Sequence, residues 1–304
     1  MKNIINYYYN LNLLDIYDIN NKYYFNYKNN DYFFIVFDRP LEDAQSIYNL
    51  NIEMKKRRII TNDIITNKDN QIITIVNGTP YILIKDNIKN KSFSFNDILY
   101  IQNNTINISN DKKLFRNNWI SMWESKIDYY EEQINNISNK YYILSDTIDY
   151  YIGLGENAIS YLVNNKVKNI SLCLSHKRID INKGTFEFYN PNNYILDNRV
   201  RDFSEYIKNM FFMDKIDFDV IRYYIDYMNL SRDECILFIS RLLFPTYYFD
   251  IYDNIINYNL DENIIMNIIN KNNDYIYLIK NIMIYIIYQK RINIPYIEWI
   301  IKDA

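Results

Sequence analysis

Near the start of the chain, aromatic and β-branched residues crowd into two short runs. Lys22–Lys28 and Tyr32–Phe37 read as strands, and Asn29-Asn30-Asp31 between them is turn chemistry. The period then lengthens. Leu41–Lys56 has helical spacing, with Leu41, Ala44, Ile47, Tyr48 and Met54 on one side, and Asp38 ahead of Pro40 reads as its cap. Gln71–Val76 and Tyr81–Lys85 return to strand character, joined by Asn77-Gly78, a strong hairpin signal. The predicted order is strand, strand, helix, strand, strand, with a hinge over Asp86–Phe93.

From about Ser94 the spacing is helical. Trp119, Met122, Trp123, Ile127, Tyr130, Ile134 and Ile137 trace one apolar stripe. A second helix is expected over Tyr141–Val163; its Gly153 and Gly155 read as permitting close helix packing. Short strands are expected at Asn169–Leu174, Thr185–Tyr189 and Tyr194–Leu196. Helices resume at Val200–Met213 and Phe218–Met228. Ser231 and Glu234 form a capping box before Cys235–Phe244, Pro245 stops or kinks that helix, and Glu262–Ile292 and Tyr296–Ile301 read as amphipathic helix. No repeat of fixed period is present. The pattern predicts an α+β, two-lobed protein, with a β-rich N-lobe over 1–93 and a mainly helical C-lobe over 94–304 that carries a small internal hairpin.

Composition narrows the chemistry. The 304 residues are 49% hydrophobic and 23% charged, with a net charge of −3, which suits a globular chain and gives no reason to expect nucleic acid as a partner. The basic run Lys55–Arg58 sits at a predicted helix end, where cations suit the dipole. Two cysteines, Cys173 and Cys235, make no disulfide framework, and no signal-peptide pattern follows Met1, so a cytoplasmic location is the expectation. The most apolar stretch, Asn281–Tyr288, is too short to span a membrane. A single histidine, His176, leaves no ligand set for a Cys/His zinc site. The excess of Asn, Ile, Tyr and Lys over Ala and Gly matches AT-rich bacterial coding, so tyrosine or asparagine clusters carry little meaning by themselves.

The motifs sharpen between Tyr150 and Asp250. YYIGLGENAISYL, LCLSHKRI, FYNPNNYILDNRVRDFSEYIK and SRLLFPTYYFD follow one another. This segment resembles the aminoglycoside phosphotransferase-like superfamily of protein-kinase-like folds, and within it bacterial spore-coat kinase-like proteins. The resemblance places His176 at the catalytic-loop histidine, Ile195-Leu196-Asp197 at the metal motif, and Arg201-Asp202-Phe203-Ser204-Glu205 at the following helix start. It implies an active site with Mg²⁺ and ATP, or no cofactor where activity has been lost.

Several of the residues that phosphoryl transfer requires are replaced. The loop carboxylate should stand where Arg178 is, and the metal-binding Asn where Lys183 is. An arginine cannot accept a substrate proton, because its pKa stays above about 12. Asp180 and Asn182 are close enough to serve in a rebuilt loop. No glycine-rich loop precedes residue 153, and Tyr32–Phe37 lacks the phosphate-pairing lysine. Of the expected set Asp197 remains, and one carboxylate is a weak Mg²⁺ site. Two readings stand for His176, hydrogen-bonded structural residue or catalytic one, and two for Asp197, helix cap or metal ligand. Arg201, Asp202, Glu205, Arg241 and Asp250 are expected to lock helices together through ion pairs.

The leading expectation is a kinase-like protein with a degenerate catalytic loop, a pseudokinase acting as a binding or scaffolding module toward a protein or small molecule. The second is an active phosphotransferase, with Asp197 on Mg²⁺ and Asp180 or Asp202 supplying the carboxylate. The third is a purely structural coat component.

Overall fold

Backbone order follows the apolar pattern in the computed structural model, which describes residues 1–19, 22–88, 93–137, 140–168, 170–179 and 184–302. The chain divides into two compact units, Met1–Asn117 with Ser171–Arg199, and Asn118–Ile170 with Val200–Ala304.

The first unit begins with helix α1 (Lys2–Tyr9) and strands β1 (Tyr17–Ile19), β2 (Lys22–Tyr27) and β3 (Asn30–Val36). Helix α2 (Ala44–Lys56) follows, then β4 (Asp63–Ile65), β5 (Thr74–Val76), β6 (Thr79–Asp86) and α3 (Phe95–Asn104). The six strands form one antiparallel sheet in the order β1-β2-β3-β6-β4, with β5 also on β6. Phe34 lies opposite Leu83, and Ile35 opposite Ile82, so successive residues address opposite faces. On one face Phe25, Phe34, Val76 and Leu83 pack with Ile5 of α1 and Leu13. Ile35, Ile82 and Ile84, on the other, are equally buried. Asn77 and Gly78 both take positive φ, the requirement of the tight turn that Asn-Gly predicts.

The same unit holds β7 (Leu172–His176), a short helix α6 (Gly184–Phe188) and β8 (Tyr194–Asn198). β7 and β8 pair antiparallel, Leu172 with Asn198 through His176 with Tyr194. Thr105, at the end of α3, accepts from the Leu174 amide at 3.0 Å, and the Arg116 amide donates to the Leu196 carbonyl at 2.9 Å.

The second unit contains α4 (Trp119–Ile137), α5 (Tyr142–Asn165), α7 (Val200–Phe212), α8 (Phe218–Met228), α9 (Arg232–Leu243), α10 (Thr246–Tyr258), α11 (Met266–Ile284) and α12 (Glu298–Lys302). Aromatic stacking fills its core: Trp123 on Phe244 at 4.4 Å, Tyr130 on Phe249 at 4.1 Å, Tyr151 on Tyr248 at 3.8 Å and Phe203 on Tyr224 at 3.7 Å. Each such pair is worth about 0.5–1.5 kcal/mol beyond the area it buries. The Ser231–Glu234 capping box forms, and Pro245 separates α9 from α10. Glu205 Oε1 accepts from Arg241 Nε at 2.7 Å and Lys208 Nζ at 3.1 Å, while Oε2 accepts from Thr246 at 3.0 Å. Asp250 pairs with Lys126 at 3.8 Å.

Several expectations are corrected. Thr185–Tyr189 is not a strand: Gly184, at φ +73, opens a helical turn that the Tyr189 amide closes on the Thr185 carbonyl at 2.9 Å. Its alternating pattern serves aromatic packing instead, with Phe186 on Phe33 at 4.0 Å and Phe188 on Phe93 at 4.5 Å. Helix α1 and strands β1 and β4 were not anticipated; each is short and has few periodic positions. The Glu262–Ile292 stretch opens with a 3₁₀ turn at Glu262–Ile265 and ends in π-helical turns at Tyr285–Gln289. Asp38 does not cap α2, which begins after a 3₁₀ turn at Leu41–Asp43. Gly153 faces open space, so no packing demand explains it. Residues 89–92 of the expected hinge, and Asn169, lie outside the described residues.

Candidate functional site

Three turns of the first unit shape a polar pocket of ≈ 430 Å³, lined by Asp38, Lys177, Arg178, Glu187, Asn190, Asn192 and Asn193. Asp38 follows β3, Lys177 and Arg178 follow β7, and the asparagines precede β8. Local chemistry holds them in place. Asn190 Oδ1 accepts from the Asn192 amide at 3.0 Å, and Pro191 fixes the backbone of the 3₁₀ turn between them. The Lys177 amide donates to the Asn193 carbonyl at 2.8 Å, one step beyond the last strand pair. Asn193 then bonds both backbone groups of Arg178, accepting at 3.2 Å and donating at 2.8 Å.

One carboxylate oxygen stands at the focus. Asp38 Oδ1 accepts from Lys177 Nζ at 2.7 Å and from Asn192 Nδ2 at 2.9 Å. Behind it, buried Arg39 donates from Nε to Asp43 Oδ2 at 3.3 Å and from Nη1 to the carbonyls of Tyr194 at 2.6 Å and Asn192 at 3.4 Å. Its Nη2 is buried without a hydrogen-bond partner, as is Asn192 Oδ1. Arg116 reaches Asp43 at 3.9 Å. Burial holds the Lys177 ammonium below its ordinary pKa, Asp38 opposes that, and the charges of Arg39 and Arg116 add to it. Burial likewise lowers the Arg39 guanidinium, against Asp43. Glu187 of α6, also in the lining, pairs with Lys22 of β2.

His176 is 1% exposed, and its Nε2 is 2.7 Å from the Phe188 carbonyl. A carbonyl can only accept, so Nε2 carries the proton. The ring stacks on Phe188 at 4.2 Å and meets Tyr194 edge-on at 5.5 Å. Asp197 is wholly buried and accepts from the Asn198 amide at 2.7 Å. His176 pairs with Tyr194 and Asp197 with Cys173; three rungs along a strand set them roughly 10 Å apart. The hairpin therefore does not bring these two expected site residues together. Asp180, Asn182 and Lys183 lie outside the described residues. Among the described residues no group of three or more His, Cys, Asp or Glu side chains could hold a metal ion. Neither cysteine is exposed.

Asp38, Arg39 and Lys177 escaped the sequence reading. Asp38-Arg39 beside a proline looked like a helix start, and Lys177-Arg178 stood out only as the replacement of a motif. The Asn-Pro-Asn-Asn turn was the one local signal that a loop is rigidly held there.

Solved structures share this fold. An aminoglycoside phosphotransferase from Alicyclobacillus acidocaldarius superposes with a TM-score of 0.69 at 8% identity, over 91% of this chain and 93% of that one. A spectinomycin phosphotransferase, in complex with ADP and spectinomycin, gives 0.58 at 12% identity over 84% and 85%. In sequence, the endospore coat-associated protein YutH of Bacillus subtilis (strain 168) is 27% identical over 153 residues, 44% of this chain and 45% of that protein. The match thus spans less than half the length of that relative. The model of the family described as "Spore coat putative kinase YutH" matches residues 2–280, and the chain belongs to that family.

Proposed function

We propose that this chain is a coat-associated, kinase-shaped binding protein that does not transfer phosphoryl groups. Arg178 carries the reading: it stands where the loop carboxylate of a kinase-like site is expected, and a guanidinium neither accepts nor orients a hydroxyl proton. His176 is committed to the Phe188 carbonyl, and Asp197 is buried within its hairpin. Lys177 and Arg178 would instead hold phosphate oxygens, and the spectinomycin phosphotransferase of the same fold is solved with ADP. Coat association follows the family, in place of the plain cytoplasmic location expected above; among the described residues no helix is long and apolar enough to cross a membrane.

The test is nucleotide hydrolysis and thermal stability measured on the same preparations. With ATP or GTP and Mg²⁺, release of orthophosphate and the nucleoside diphosphate is expected to stay at the rate without protein. The melting temperature is expected to rise with nucleotide, with or without Mg²⁺ and in Asp197→Ala. Ligand at about 100 times its dissociation constant adds about 2.7 kcal/mol to stability. Hydrolysis above background that disappears in Asp197→Ala or Asp180→Asn would overturn the non-catalytic reading.

A further inference from the structure

We propose that Tyr288 and Tyr296 form a modification site, at which one-electron oxidation joins the two rings into a dityrosine. The new bond would strap the π-helical turns that end α11 to the segment ahead of α12. This is independent of the function proposed above, because both rings belong to the second unit and neither lines the polar pocket.

Contact between two exposed phenols is the first observation. Tyr288 Oη lies 3.1 Å from Tyr296 Oη, although the residues are 61% and 49% exposed. Water competes for a hydrogen bond at such a surface, so this one adds little to stability. Burial does not press the rings together either. Their backbones bring them to one place.

Separate anchors hold those backbones. Tyr288 stands in the π-helical turns Tyr285–Gln289, a geometry that recurs at functional sites. The Tyr285 hydroxyl donates to the two Asp226 carboxylate oxygens at 2.8 and 2.9 Å, and Lys290 Nζ reaches the same carboxylate at 3.0 Å. Both turns are thereby tied to α8. Tyr296 lies between buried Ile294 and Ile297, and Tyr161 of α5 donates to the Pro295 carbonyl at 2.9 Å. The two stretches cannot drift apart, while each exposed ring is still able to turn about its Cβ–Cγ bond.

The chemistry follows from that placement. Each ring gives up one electron to the oxidant and its phenolic proton to water, and the unpaired electron spreads onto the carbons ortho to the oxygen. A carbon–carbon bond forms between one ortho carbon of each ring. The hydrogens on those carbons move to the oxygens, which restores both phenols. Hydrogen peroxide, acting through a haem peroxidase, takes up the two electrons and two protons and leaves as two waters. Coupling of this kind sets the hydroxyls side by side on a biphenol, within hydrogen-bond reach of each other. Tyr288 and Tyr296 already hold their hydroxyls in that relation, so two radicals formed here have no search to make. Tyr142 and Tyr258 are more exposed, at 70% and 72%, so exposure alone would not select the pair.

The test treats dilute full chain with hydrogen peroxide and a haem peroxidase, then maps the tryptic peptides by mass spectrometry. Trypsin cuts after Lys290 and Arg291, so the two rings part unless they are joined. The expected product is a monomer lighter by two hydrogens, with the Tyr288 and Tyr296 peptides linked, dityrosine fluorescence, and a yield per chain that does not change on dilution. Tyr288→Phe and Tyr296→Phe are each expected to lower the fluorescence of the monomer by about tenfold, with native circular dichroism. Linkage of other tyrosines in place of this pair, such as the stacked Tyr223 and Tyr227, would overturn the site. Intermolecular dimers alone, with a yield that falls on dilution, would overturn it too, as would undiminished monomer fluorescence in both variants. The linked chain is expected to melt at a higher temperature than the untreated one; an unchanged melting temperature would overturn the strap.

Discussion

Glu205 shows how much a single side chain can organise. It takes hydrogen bonds from Arg241, Lys208 and Thr246, and those donors come from three helices of the second unit. Burial alone would raise its pKa, but Lys208, Arg241 and Arg201 outweigh that and hold it well below the usual carboxylate range. The sign of the pH effect follows. Below the ordinary value of 4.5 the unfolded chain takes up a proton that the native one does not, so stability falls as pH drops through that range. Urea unfolding at pH 6 and pH 3.5 should therefore show a larger loss in wild type than in Glu205→Gln, which is expected to be less stable at pH 6. Parallel losses in the two proteins would show that the ionised carboxylate is not what sustains this network. Residue types gave this cluster away in the sequence, since Glu205, Arg241 and Asp250 all looked like ion-pair partners. The structure joins two of them and gives Asp250 to Lys126. Lys208 could not be picked out, because a lysine amid aromatic residues reads equally well as a solvated one.

Helix α5 carries two glycines with opposite meanings. A Cβ on Gly155 would lie 2.5 Å from Ile127 Cδ1 and 3.4 Å from Phe244, whereas one on Gly153 would meet nothing within 4 Å. Gly153→Ala is expected to stabilise the protein by about 0.5–1 kcal/mol, the ordinary gain of alanine in a helix. Gly155→Ala is expected to destabilise by about 1–3 kcal/mol through overpacking. Chemical denaturation of the pair checks both signs, and equal effects would remove the distinction. Spacing alone could not separate them, because both belong to the same helical run and only the neighbouring helix differs. The β7–β8 hairpin makes a related point. His176→Ala removes the donor to the Phe188 carbonyl and both ring contacts, and is expected to cost about 2–4 kcal/mol. A stability change under 0.5 kcal/mol would sink the structural role. The strands themselves were legible from their β-branched and apolar content. Helix α6 was not, because Thr-Phe-Glu-Phe-Tyr alternates like a strand and only Gly184 and the packing of Phe186 and Phe188 choose the helical turn.

At the scale of the molecule, long periodic segments carried the sequence reading. The stripe from Trp119, the capping box at Ser231 and the Asn77-Gly78 turn each encode an element locally, so the β-rich start and helical remainder could be read off directly. The resemblance at His176 and Ile195–Asp197 placed the chain in its family, because those motifs sit in adjacent sequence. The sequence by itself also showed which residue type stands at the position of the family's loop carboxylate: Arg178 needs no coordinates to be recognised there. What only the tertiary structure decided is which side chains meet. Asp38 and Lys177 are far apart along the chain yet bonded at 2.7 Å, because β3 and the β7–β8 hairpin belong to one unit. Periodicity records which face of an element is buried, but it holds no information about which distant loop end arrives there. Loop ends are set by packing elsewhere, and six of the seven residues that line the polar pocket stand on loop ends and turns, with Glu187 of α6 the seventh.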